Sequence, residues 1–407
     1  MNQKSSLLRN ISIFLTFLLC VMLMQGWRSF GTNTLILFGV WLIVTILAYY
    51  GEIMPVLRQR RFAVLYVFLI FYFLSSFFSV GAVSALNRVV AFMSVCSPIL
   101  MYELLKRTKR STRIRFVVIL TIVLLFDVFL SFQYQRLLGV TTMRDASILG
   151  DQYYIVYIAF NISYSLALIA PACLEIIKKQ NKRNSGNKKN VIVLGFLMVL
   201  FSIFLVRAQF MTAIILALLG FVFVMFYKNK RLFRFLIGVG FAFVVFVLVL
   251  PSIIDFLDNN RKYNDISYRL GEIQSVISGN EQDAVDIGSR QNLSMLSLET
   301  FLRNPIFGVN HRLTDDQHVI QQGVGNHASW PDSLALYGLF ALLLFYFLFD
   351  SLKRQKNDMG STLTMVLFIV LGFFNPLLFF PQMFSVFLYI PLLYQLFLES
   401  PEEVGTR

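Results

Sequence analysis

Residues 188–234 read KKNVIVLGFLMVLFSIFLVRAQFMTAIILALLGFVFVMFYKNKRLFR. Two apolar runs, 191–207 and 210–227, meet at Arg207 with almost no loop between them, and both outer ends are basic. Each run is long enough to cross a hydrocarbon layer as a helix. Cations flanking the pair put its two ends on one side, the cytoplasmic side by the positive-inside bias, and the joint on the other. The fold follows from carrying that reading outward in both directions.

The rest of the 407-residue chain repeats the pattern: 57% of residues are hydrophobic and only 14% are charged, where a soluble protein would carry roughly 25% charged residues. Apolar runs fall near 10–26, 34–50, 62–83, 88–105, 116–138, 153–177, 191–207, 210–227, 235–256, 329–350, 362–378 and 382–397. The expectation is an all-α, polytopic membrane protein of about twelve spans. Residues 1–256 hold spans one to nine, 257–328 form one large loop, and 329–407 hold three more spans and a tail. The first run follows Lys4 and Arg9 but no small-x-small cleavage site follows it, so it reads as a retained helix.

The connections sort into two alternating sets. One set holds 25 of the 36 cations, clustered around Arg9, Arg60, Lys109, Lys182, Arg231 and Lys353. By the same bias this set is cytoplasmic, along with both termini. The net charge of +14 is thereby a topology signal, and nucleic acid is not expected as a partner. Cys20, Cys96 and Cys173 all lie inside apolar runs with no metal-ligand spacing, so neither a disulfide framework nor a metal site is expected.

The large loop falls on the non-cytoplasmic side, with six cations against nine acids and all three histidines, His311, His318 and His327. A loop of that length in a compact protein is functional or disordered. Two helical patterns run through it, Ile266–Leu270–Ile273–Ile277 and Leu293–Leu296–Thr300, which predicts amphipathic helices packed on the outer face.

Chemistry on that side rests on few residues. Arg207 either snorkels at the outer interface or stands as a fixed cation at the mouth of a cavity. Arg290 opens the second loop helix and either pairs with a nearby acid such as Asp286 or serves a ligand. Arg269 has Asp265 one helical turn before it. Ser329-Trp330-Pro331-Asp332 reads as a capping box opening a span, which makes Asp332 a cap rather than a catalytic acid. Pro331 suits the first turn, and Trp330 suits the aromatic belt. His327 has no such structural duty and stands just before the helix start, at the membrane surface. An imidazole there is suited to accepting a hydroxyl proton. Arg207, Arg290 and His327 fall on one topological side. Two guanidiniums and one imidazole together suit a lipid-linked phosphate substrate. With no Asp-x-Asp pair and no Gly-rich phosphate loop, the expected reaction uses no metal and no cofactor.

At these residues the chain resembles the bacterial O-antigen polymerase and ligase superfamily, the Wzy- and WaaL-type membrane glycosyltransferases. The resemblance lies in the overall plan and in an ordered set: Arg207 after a mid-chain span, Arg290, a short helix, Asn304-Pro305-x-x-Gly308, a polar stretch, then His327 before a span containing Gly338. Where the family often has Asn directly after the histidine, this chain has Ala328, with Asn326 before it. The resemblance implies that Arg207 and Arg290 hold an undecaprenyl pyrophosphate and that His327 activates the acceptor, with Arg269, Asn326 and Asp332 in support. It further implies a bacterial cytoplasmic-membrane enzyme acting on the outer face. It would work on an undecaprenyl-pyrophosphate-linked oligosaccharide, beside a chain-length regulator and a flippase. Polymerase and ligase share such a site. A transporter of lipid-linked glycans would keep polar groups deep in its helices, and here only Asp127 looks deeply embedded, in a role of packing or of the site.

Overall fold

A computed structural model describes residues 3–24, 31–140, 158–182, 188–226, 249–257, 259, 267, 268, 270, 271, 274, 275, 285–313, 320–375, 377, 378 and 380–398. Among them all regular structure is helical. In chain order the helices are α1 (Gln3–Met24), α2 (Gly31–Ala48), α3 (Tyr50–Leu57), α4 (Arg60–Leu105), α5 (Arg110–Leu137), α6 (Ile158–Lys182), α7 (Lys188–Ala208), α8 (Met211–Phe226) and α9 (Val285–Arg303). There follow α10 (Ser329–Tyr337), α11 (Ala341–Met359) and α12 (Leu363–Phe374). The last, α13, begins at Phe380–Phe384, passes through a π-helical turn at Ser385–Tyr389, and ends in Ile390–Leu398.

Five helical runs are long and apolar enough to cross a membrane, and six if the bent α2–α3 pair, turned through 112°, counts as one. The full set of twelve expected spans is not seen among the described residues. The runs at 153–177 and 235–256 lie partly outside them, and the helices in the runs at 210–227 and 362–378 are shorter than expected, with 16 and 12 residues.

The longest run shows how spans are joined. Arg61 Nη2 donates to Glu103 Oε1 at 2.6 Å across 42 residues, although a straight helix would hold these positions about 63 Å apart. The chain therefore doubles back, and the ring contacts locate the turn: Phe68 and Tyr72 both pack on Phe92, at 5.3 and 5.7 Å between centroids. The midpoint is Gly81, whose φ of +79° is a conformation that only glycine adopts freely. Thus α4 is two antiparallel arms, matching the expected runs at 62–83 and 88–105.

The same logic corrects the run expected at 329–350. The indole of Trp330 packs on Phe345 and Phe349, with centroids 5.1 and 5.4 Å apart, where a continuous helix would separate the first pair by about 22 Å. The chain turns back at Gly338 (φ +58°). So α10 is a short helix folded against α11, and α11 is the crossing segment. Trp330 is buried, with its indole N–H donating to Ile369 O at 2.9 Å, so it serves a helix contact and not the aromatic belt.

A third hairpin closes the bundle. Tyr394 OH lies 3.2 Å from Ser361 Oγ, and Phe387 packs on Phe368 at 5.2 Å, so α12 and α13 run antiparallel. Among the described residues the basic clusters gather at one end of these helices. There Lys106 pairs with Asp358 at 2.6 Å, Lys179 with Glu175 at 2.9 Å and Arg9 with Glu52 at 2.6 Å. Arg113 Nη1 reaches Gln395 Oε1 at 3.0 Å. The segregation of charge expected from the sequence is thus built into the packing.

Candidate functional site

The site forms at the end remote from the basic clusters, where α12 stops early. With 12 residues it is about 18 Å long, against about 28 Å for the 19 residues of α11. The start of α10 occupies the depth that remains. Ser329 Oγ donates to Asn375 O at 3.2 Å and accepts the N–H of Leu377, so α10 begins on the turn that follows α12. Ser329, Trp330, Pro331, Asp332 and Ser333 are all buried. His327, two residues earlier, is half-buried between exposed Asn326 and buried Ala328.

The segment that carries His327 is laid along α9 residue by residue. A Cβ at Gly323 would strike the Thr300 hydroxyl, and one at Gly325 would strike the Leu293 carbonyl. Gly325 N–H donates to Ser297 Oγ at 2.8 Å. Thr300, Ser297 and Leu293 recur at helical spacing on one face of α9. The segment thus climbs α9 toward its N-terminus, from the level of Thr300 to that of Leu293. Arg290 holds the next position of that stripe, one turn beyond Leu293, while residues 326–328 turn off α9 onto the carboxylate of Asp332 at the level of Ser297. The Arg290 side chain and its expected partner Asp286 lie outside what the structure describes, as does Arg269. Arg290 falls inside α9, in its second turn, not at its start.

Asp332 ties this segment down. Its Oδ1 accepts the Ser297 hydroxyl at 2.6 Å and its Oδ2 accepts the N–H of Ala328 at 2.8 Å. The same carboxylate faces the backbone N–H groups of His327 and Asn326. Asn326 has φ +55°, a left-handed conformation that Asn tolerates better than most residues. The capping-box expectation is half right. Asp332 does reach back to an N–H ahead of the helix, but the N-cap is Ala328, and Ser329 spends its hydroxyl on the α12 end. A buried carboxylate satisfied by main-chain donors is a rigid anchor, so Asp332 positions His327 from behind.

The Asn304-Pro305-x-x-Gly308 segment has an architectural reason. Val309 N–H donates to Ala335 O at 3.0 Å and Leu339 N–H to Pro305 O at 2.7 Å. Gly308 (φ +63°) and Gly338 (φ +58°) face each other's strands of chain so closely that a Cβ on either would run into main-chain oxygens of the other side. The two glycines lock the loop onto the α10–α11 turn. Beyond the lock, buried Asn310 donates to Ser75 Oγ at 3.0 Å and Ser76 Oγ at 3.1 Å, anchoring the loop beside the Gly81 turn.

Arg207 stands exposed on the last turn of α7. Gly220 of α8 packs on Leu367 of α12, and eight residues further along each helix stand Thr212 and Asn375. Arg207 lies just past Thr212 across a tight turn, at the same end of the bundle as Ser329. No described contact brings it to His327. Ser297, Asn310, Gly325 and Asn375 were not anticipated. Only Ser297 lies on an α-helix face, as a small residue among apolar ones; Asn310, Gly325 and Asn375 lie in a short turn, a non-helical segment and a helix end, where helical periodicity gives no signal. Compared with protein-family models, curated proteins and solved structures, the chain matches none of them.

Proposed function

We propose that this protein is a metal-independent membrane glycosyltransferase of the Wzy type, a polysaccharide polymerase. It has about twelve spans and both termini in the cytoplasm of a bacterium, and its site faces outward. The growing glycan is transferred from undecaprenyl pyrophosphate to the non-reducing end of a lipid-linked repeat unit. In this reading His327 takes the proton of the acceptor hydroxyl as that oxygen attacks the anomeric carbon. The anomeric carbon–pyrophosphate bond breaks and undecaprenyl pyrophosphate leaves. Arg290 and Arg207 neutralise the charge that develops on the leaving group.

The observation that supports the reading is the clamp of Ser297 and Asp332 on residues 325–328, which fixes the backbone of His327 beside α9, the helix that carries Arg290. A held base and a permanent cation on neighbouring elements suit acid–base chemistry on a pyrophosphate donor.

The test is complementation of a strain lacking the protein with His327→Ala, Arg290→Ala and Arg207→Ala, with membrane levels of each variant checked. The readout is the ladder of surface polysaccharide lengths. Collapse of the ladder to a single repeat unit is expected. Full-length chains that accumulate unattached identify the ligase, which uses the same donor and site. A normal ladder from all three variants overturns the assignment and favours a flippase or a scaffold.

A further inference from the structure

Glycan transfer at His327 leaves one set of polar groups unused, deep between the helices. Asp127 of α5 is buried, and its Oδ2 has no hydrogen-bond partner among the described residues. Gln382 of α13 is fully buried, and neither its Oε1 nor its Nε2 has a described partner.

Two registers put these groups at one level. α5 and α13 run antiparallel, with Arg113 bonded to Gln395 at 3.0 Å and Thr121 to Tyr389 OH at 2.7 Å. Carrying that pairing on by nearly two turns sets Asp127 level with Gln382. α6 and α13 run side by side in the same direction, with Tyr394 OH donating to Glu175 at 2.5 Å and Gln180 to Phe397 O at 2.8 Å. The same offset brings Ser165, itself buried, to the level of Gln382. Three helices thus contribute oxygen atoms to one layer.

The backbone of this layer is irregular as well. Just past Gln382, α13 enters the π-helical turn Ser385–Tyr389, a distortion that recurs at functional sites. Just before it Asn375, Leu377 and Leu378 are non-helical, past the carboxyl end of α12. Buried Asn375 stands there with an unpartnered Nδ2. A helix carboxyl end carries partial negative charge, and broken helices with free carbonyls are the usual setting of a buried alkali cation.

An uncompensated carboxylate and an unsatisfied amide are each unfavourable in a medium without water. One small cation removes both deficits, because carboxylate and amide carbonyl are hard oxygen ligands. A single carboxylate balances a single charge. Among the described residues no group of three His, Cys, Asp or Glu side chains comes together, so a divalent ion is not provided for.

We propose that Asp127 and Gln382 form a buried monovalent-cation site occupied by Na+, on the bundle side of the α12–α13 turn. The site stands independently of the glycan-transfer reading. Bound ion would brace α13 against α5 beneath the turn on which Ser329 rests.

The experiment is thermal unfolding of the purified full chain in detergent, with NaCl titrated against choline chloride at constant ionic strength. The midpoint is expected to rise with sodium and to saturate, as a ligand that binds only the folded state requires. Asp127→Asn and Gln382→Leu, each shown monodisperse, are expected to lose the sodium response. Asp127→Asn keeps the shape of the side chain and removes the charge, so it separates ion binding from misfolding. The proposal is overturned if the wild-type midpoint tracks ionic strength alone, or if Asp127→Asn keeps the full response. A midpoint that ignores sodium but follows pH through Asp127 also overturns it, and makes the carboxyl a proton carrier instead.

Discussion

The hydroxyl of Ser297 joins Asp332 to the main chain of Gly325, donating to one at 2.6 Å and accepting from the other at 2.8 Å. One small side chain on α9 thus holds both the start of α10 and the segment that carries His327. Ser297→Ala removes both bonds and leaves a buried carboxylate oxygen and an N–H unsatisfied. The expected cost is about 1–3 kcal/mol, read as a lower unfolding midpoint. The glycan ladder is expected to shorten although His327 is intact. A wild-type ladder from Ser297→Ala would show that the clamp does not position the base.

The paired glycines give a second test. Gly308→Ala and Gly338→Ala each place a methyl group against main-chain oxygens at positive φ, and the loss is expected to exceed about 1 kcal/mol for each. Gly39→Ala, with nothing within 4 Å of the added Cβ, is the control and is expected to be neutral or slightly stabilising. Fluorescence-detected size exclusion after heating ranks the three. Equal ranking would mean that the loop is not locked to the α10–α11 turn.

Gly325→Ala probes the site without touching a polar group. Its Cβ would meet the α9 main chain at Leu293, so the segment must lift from the helix. Activity is expected to fall at least tenfold while the protein still reaches the membrane, since small displacements of a base are costly in rate. Gly195→Ala, in open space on α7, is expected to behave as wild type in the same complementation assay.

The doubling back of α4 is open to measurement as well. Arg61 is 1% exposed and Glu103 13%, and breaking such a pair by Arg61→Met leaves an uncompensated buried acid, at a cost of about 3–5 kcal/mol. The double change Arg61→Met with Glu103→Leu is expected to recover much of that loss. Additive losses in a thermal-shift cycle would mean that the two arms do not meet as described.

Much of the architecture was legible in the chain because one force dominates it. Lipid demands long apolar helices, and the charge bias marks their ends, so the spans at 62–83 and 88–105 and the gathering of cations at one end could be read directly. What stayed hidden depends on turns that leave no polar loop. The doubling back at Gly338 looks like one apolar run, because α10 and α11 are joined by the short apolar turn Gly338–Phe340, with no polar loop between them. The seat of α10 on the end of α12 was hidden for a related reason. It exists because α12 has 12 residues where α11 has 19, and hydropathy continues past Asn375 with only the Asn375-Pro376 pair to mark the stop. The candidate residues fared unevenly. Asp332 was read as structural and is, but it serves the residue it was set apart from. Ser297 was invisible, since a serine among Leu293, Leu296 and Thr300 carries no periodic signal of its own.

The turn at Gly81 has a consequence for how such a chain can change over time. Its two arms are joined by hardly a residue, so they behave as one unit that leaves and returns to the same side. A unit of that kind is neutral to orientation: adding or deleting it alters the number of crossings by two and leaves everything downstream facing as before. Hairpins built this way free the helical frame to drift in length, while the handful of residues around His327 keep their side of the membrane.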